Sequence, residues 1–131
     1  MTDIKKIVIE FIPHDQQRYE TVGDYWLEGD TLQIRVSDMQ FTQYNCLVAL
    51  HEFVEWMTTD FAGITEESIM EFDKQYEEER KLNIHTQQEE PGFDFKAPYK
   101  DQHTLATSIE MMLCAFLGID WKMYDDVVLG L

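Results

Sequence analysis

The residues with the clearest chemical potential form a short run, His51-Glu52-Phe53-Val54-Glu55. On a helix, His51 and Glu55 are i, i+4 neighbours, so an imidazole and a carboxylate project from successive turns within reach of one cation. Both groups are established metal ligands. Together with Glu52 they lie away from the main apolar stripe of Leu47, Leu50, Val54, Met57 and Phe61. A second set follows downstream. His103, Thr107, Glu110 and Cys114 recur at i, i+4, i+7 and i+11 and form one line along a helix, with Ala106 beside it. Small and polar side chains in such a line imply that another element packs closely over them. His103 and Glu110 would then be polar groups in a tight interface, where such groups require partners. The first helix offers His51 and Glu55. The residues suit either a metal site built from His51, Glu55, His103 and Glu110, or a metal-free hydrogen-bond network between two helices.

The run resembles the His-Glu-x-x-His helix of zincin metallopeptidases, with Glu55 standing where that motif has its second histidine. Two histidines and one glutamate form an established catalytic zinc set. The resemblance covers about residues 31 to 60 and implies a zincin-like arrangement, with Thr31–Val36 as an edge strand ahead of the helix. It implies Zn²⁺, or another divalent metal, held by His51, Glu55 and the downstream His103, with Glu52 as the catalytic general base for water. Glu110 would either orient His103 or close the site as a fourth ligand. An open fourth position marks an enzyme and a closed one a structural site.

A second resemblance is to all-α nucleotide pyrophosphohydrolases, which hold Mg²⁺ with Glu-x-x-Glu, here Glu52 and Glu55, and a further acidic pair. The pair available here, Glu71 and Asp73, has Glu-x-Asp spacing instead of Glu-x-x-Asp, and the N-terminal strands are foreign to that family. Over about residues 44 to 125 the chain also resembles small proteins carried by phages and prophages, through Leu50-His-Glu-Phe-Val-Glu55, Glu90-Pro-Gly92, Ala97-Pro-Tyr99 and Gly118-Ile-Asp-Trp121. That likeness implies a mobile-element origin and no mechanism.

Charge narrows the partners. Ten Lys and Arg against 26 Asp and Glu give a formal charge of −16. Direct binding to nucleic-acid phosphates is disfavoured, because those contacts come mainly from Lys and Arg. An anionic membrane surface would repel the chain. Such a charge serves solubility and attracts cations. It also fits a non-enzymatic acidic interaction protein, such as a DNA mimic or host-factor inhibitor. In that reading a protein partner would engage Glu77-Glu78-Glu79 and Glu89-Glu90, and His51 would be idle.

The elements that must position these residues follow from periodicity. The 131 residues, 44% hydrophobic, suit a single domain with a real core. The β-rich part spans 1–37. Ile4–Ile12 is β-branched and ends at Pro13, and Gly29-Asp30 joins Tyr25–Glu28 to Thr31–Val36 as a hairpin. Within the last strand, Leu32, Ile34 and Val36 share one face. The helical part spans 43–131. Its first helix carries His51 and stops at Gly63, its second is capped by Thr65, and its third starts at an Asp101 cap and stops at Gly118. The third helix is expected to bury Leu105, Ile109, Met112, Leu113 and Phe116. A long loop at 83–99 leads into His103 and should cover the mouth of the site. The apolar tail should pack back as a short helix or strand. The fold class is α+β, a small antiparallel sheet followed by three main helices. Cys46 and Cys114 read as buried thiols of a reducing cytoplasm, and neither a signal peptide nor a membrane span is evident.

Overall fold

A computed structural model describes all residues, 1–131. It is α+β, a three-stranded sheet followed by four helices. The hairpin forms as its turn residues dictate. Strand β2 (Gly23–Glu28) pairs antiparallel with β3 (Thr31–Ser37), and Gly29 takes the positive φ of 61° that the turn requires. The first strand, β1 (Lys6–Ile12), pairs with the other edge of β3 in parallel register, Lys6 against Thr31 and Ile12 against Ser37. The sheet is therefore mixed, ordered β1-β3-β2, not wholly antiparallel. The connection from Pro13 to Val22 steps over the end of β3 instead of turning back beside β1. Thr31–Ser37 is consequently the central strand and not the edge strand implied by the zincin resemblance.

Alternation on β3 sets the core. Leu32, Ile34 and Val36 are each 0% exposed. They pack with Leu47, Val48, Ala49 and Trp56 from helix α1 (Thr42–Ala62) and with Cys114 and Tyr124. Helix α1 ends at Gly63, which is left-handed at φ 75°. Helix α2 (Glu66–Lys81) starts as its sequence indicates, with the Thr65 hydroxyl accepting a hydrogen bond from Ser68 N. Its Ile69 joins Ala97 and Tyr99 in a smaller cluster beneath the loop. Helix α3 (Lys100–Leu117) begins one residue before Asp101, with Tyr99 at its N-cap, and stops at left-handed Gly118. The tail forms α4 (Trp121–Leu129), capped by the Asp120 side chain. No helix is long and apolar enough to cross a membrane.

Helix α3 is turned opposite to the expectation from its apolar stripe. His103, Ala106, Glu110 and Cys114 are buried, while Leu105, Met112 and Phe116 face outward. Two facts explain this orientation. Helix α1 already covers the buried face of β3, so α3 has no sheet to cover, and small residues at 106 and 114 permit a close helix–helix approach. The pairing is antiparallel, since His51 meets Glu110 while Glu55, one turn later, meets His103. Of the two cysteines only Cys114 is buried; Cys46 is exposed on the outer side of α1.

Candidate metal centre

The close approach of α1 and α3 brings His51, Glu55 and His103 together as a buried group able to hold a metal ion. His51 Nε2 and Glu55 Oε2 are 3.0 Å apart, as i, i+4 geometry allows. His103 Nδ1 lies 3.0 Å from that same carboxylate oxygen and 3.1 Å from His51 Nε2. One atom from each residue thus points into a common centre. The opposite faces of the two rings are anchored differently. His51 Nδ1 is hydrogen-bonded to Glu110, which in turn accepts from the Tyr124 hydroxyl. His103 Nε2 is buried without a hydrogen-bond partner, and the nearest carboxylate, Glu90, is 3.9 Å away. Glu110 therefore stands behind His51. It neither orients His103 nor joins the three atoms that face the centre.

The electrostatics follow from burial set against contact. Burial alone would push the Glu55 carboxyl upward, but hydrogen bonds from His103 and His51, and the charge of His51, outweigh it and hold the group at about 2. Burial would likewise disfavour a charged His51, yet contacts with Glu110 and Glu55 raise its pKa well above the usual imidazole value. The two carboxylates thus favour the protonated ring, through contacts at both of its nitrogens, Nδ1 with Glu110 and Nε2 with Glu55.

Glu52 packs against β2, beside the converging group. Gly23 there has no room for a side chain, since a Cβ would lie 2.4 Å from Glu52 Oε1. Burial, reinforced by the nearby Glu55 charge, raises the Glu52 pKa well above the carboxylate range. Glu52 and the three converging residues line one cavity of about 780 Å³. Asp73 also lines it, as the sequence did not indicate, and accepts a hydrogen bond from Tyr99. Burial pushes Asp73 up to about 7, with the Tyr99 bond opposing and the Glu55 charge assisting. Its neighbour Glu71 is exposed, so the two do not act as a pair.

The 83–99 loop approaches the site as expected. Gly92, in a 3-10 turn at Pro91–Phe93, packs directly on His103; a Cβ there would lie 2.3 Å from the ring Cγ. Phe93 meets the same ring edge to face, with centroids 4.6 Å apart. Neither Gly23 nor Gly92 has a positive φ, so close contact and not backbone conformation demands glycine at both positions. His14 and His85 are not among the converging residues; His14 bonds to Ser37 and Glu20, and His85 to Glu79. No family model, curated protein or solved structure matches the chain.

Proposed function

We propose that the chain binds Zn²⁺ between α1 and α3 and uses it for hydrolysis. One observation carries the reading: His51 Nε2, Glu55 Oε2 and His103 Nδ1 form a triangle with sides of 3.0, 3.0 and 3.1 Å. Ligand atoms arranged tetrahedrally about zinc, at about 2.0–2.1 Å, stand about 3.3 Å from one another. The three atoms therefore need to spread by only a few tenths of an ångström. Two imidazoles in three ligands favour Zn²⁺ over Mg²⁺, which prefers oxygen. Three protein ligands leave a fourth position free, as catalytic sites do.

When bound, Zn²⁺ supplies Lewis acidity and brings the pKa of water toward neutrality. The chain's own residues supply the rest. Glu110 fixes the orientation of His51 through its Nδ1–H, the support that metal-binding histidines commonly receive. Glu52 lines the same cavity as the three converging residues and is the carboxylate we assign as general base, its basicity increased by burial and the nearby Glu55 charge. The 83–99 loop, through Gly92 and Phe93, closes over His103 and limits water.

Elemental analysis of protein purified without chelator tests the reading, together with thermal unfolding in zinc and in chelator. About one zinc per chain and a Tm that rises with zinc are expected, because a ligand of the native state stabilises it. His103→Ala should lose both effects. Glu52→Gln should keep zinc and stability but lose turnover of ester or amide probes. A wild-type chain that takes up no Zn²⁺, Co²⁺ or Mn²⁺, and whose unfolding ignores chelator, would overturn it.

A further inference from the structure

On the outer side of the same helix pair, α1 and α3 expose the large apolar residues that periodicity had assigned to the core. Phe116 is 86% exposed, Phe61 79%, Met112 71% and Leu105 47%. Between the helices runs an apolar groove of about 340 Å³, walled by Cys46 and Leu50 from α1 and by Leu113 and Leu117 from α3. Helical spacing places Leu105, Met112 and Phe116 about a quarter-turn around α3 from the groove residues Leu113 and Leu117, and Met57 and Phe61 continue the line of Leu50. From Leu105 to Gly118 the only charged residue is Glu110, and it is buried. From Thr42 to Thr59 the only charged residues are Glu52, which faces the cavity, and Glu55, which is buried. A chain with a formal charge of −16 thus presents one face whose middle bears no charge, with Asp60 beside Phe61 and Asp101 one turn from Leu105 at its ends.

We propose that this face is a homodimer interface, with a second copy of the chain seated across the α1–α3 groove. Three observations select a second copy as the occupant. The surface carries both a projecting knob, Phe116, and a groove able to receive one, so a two-fold axis can satisfy both at once. Phe116, Phe61, Met112 and Leu105 together expose nearly three full side chains, about 400–700 Å² on the aromatic scale of roughly 150–250 Å² each. That supplies half or more of the roughly 800 Å² per partner of a stable interface, with the groove walls adding to it. Finally, two strongly anionic chains meet with least juxtaposition of like charges through the face whose middle bears none. The product is a four-helix arrangement of α1 and α3 from each copy, with both metal centres on its far sides. The proposal does not depend on metal or catalysis.

Sedimentation or light scattering across a dilution series of the full chain tests it, with Phe116→Glu and Met112→Glu as variants and far-UV circular dichroism as the check on folding. The wild type should run at twice 15.6 kDa, and each folded variant at the monomer mass. Leu105→Lys, nearer the other end of α3, provides the same test should a variant misfold. A wild type that is monomeric at every concentration overturns the proposal, including one that binds neutral vesicles instead. So does a dimer that survives the variants but is broken by Ile9→Lys on the exposed edge strand β1.

Discussion

Gly92→Ala should disturb the candidate metal centre from the loop side, by an amount that the contact geometry sets. The added Cβ would lie 2.3 Å from His103 Cγ and 2.5 Å from both Cδ2 and Nδ1. Ordinary carbon contacts need about 3.5 Å or more, so ring and loop must separate by about an ångström. The ring has little freedom to yield. Its Nδ1 is engaged by Glu55 and His51, and Phe93 and Tyr99 stand edge to face against it. Overpacking of this kind costs about 1–3 kcal/mol, and a displaced metal ligand or its support costs about 10–100-fold in affinity.

Gly63→Ala supplies the comparison. At Gly63, φ is 75° and nothing lies within 4 Å of the new Cβ. It should lose about 1–2 kcal/mol through left-handed backbone strain alone, with zinc affinity unchanged. Chemical denaturation measures the first quantity, and competition with a chromogenic chelator the second. If Gly92→Ala binds zinc as tightly as Gly63→Ala does, the loop does not brace His103 and this reasoning fails.

Glu110→Ala should weaken zinc binding about 10–100-fold and cost about 1–3 kcal/mol for each polar group it orphans, His51 Nδ1 and the Tyr124 hydroxyl. Glu110→Gln keeps a carbonyl to accept from His51 and should recover much of that stability; equal behaviour of the two variants in denaturation would contradict the contact. Asp73, raised by burial to about 7 from an ordinary 3.8, stays protonated in the fold while the unfolded chain ionises. Stability should therefore fall as pH rises from about 4 to 7, by at most about 4 kcal/mol at about 1.4 kcal/mol per unit, and level off above. Asp73→Asn removes that slope, so its advantage over wild type in denaturation should be larger at pH 8 than at pH 5; a constant difference would show that Asp73 is not held neutral.

Much of the site was legible because helical spacing is a local property. His51 and Glu55 share a face whatever surrounds them, and the small-polar line of His103, Ala106, Glu110 and Cys114 marked a close-packed side of α3 before any partner was visible. What periodicity cannot state is which side of a helix faces inward. Helix α3 has an apolar stripe and a polar line on different faces, and the polar line won because it fits α1. The pairing of Glu110 with His51 instead of His103 depends on the antiparallel offset of two helices 59 residues apart in the chain, which spacing does not encode. The parallel β1–β3 pairing eluded the sequence for a similar reason: a ten-residue connection ordinarily joins neighbouring strands, whereas Pro13 to Val22 crosses one. Gly23 and Gly92 resemble ordinary loop glycines, and only their contacts with Glu52 and His103 reveal why no side chain fits.

The burial of so many ionisable groups in so small a protein has an energetic implication. Replacing a buried ion pair by well-packed apolar residues is often neutral or stabilising, whereas removing one partner is costly. The α1–α3 interface had apolar residues available, since α3 carries Leu105, Met112 and Phe116 on its outer side. Turning α3 by half a revolution would bury that stripe against α1 and expose His103 and Glu110 to water, the arrangement that burial of apolar area alone would favour. The fold adopts the reverse, with four ionisable side chains inside and Phe116 outside. Two separate gains offset that choice if a cation binds between the helices and a second chain covers the outer face. Each rests on the same orientation of α3, yet zinc titration and sedimentation measure them independently.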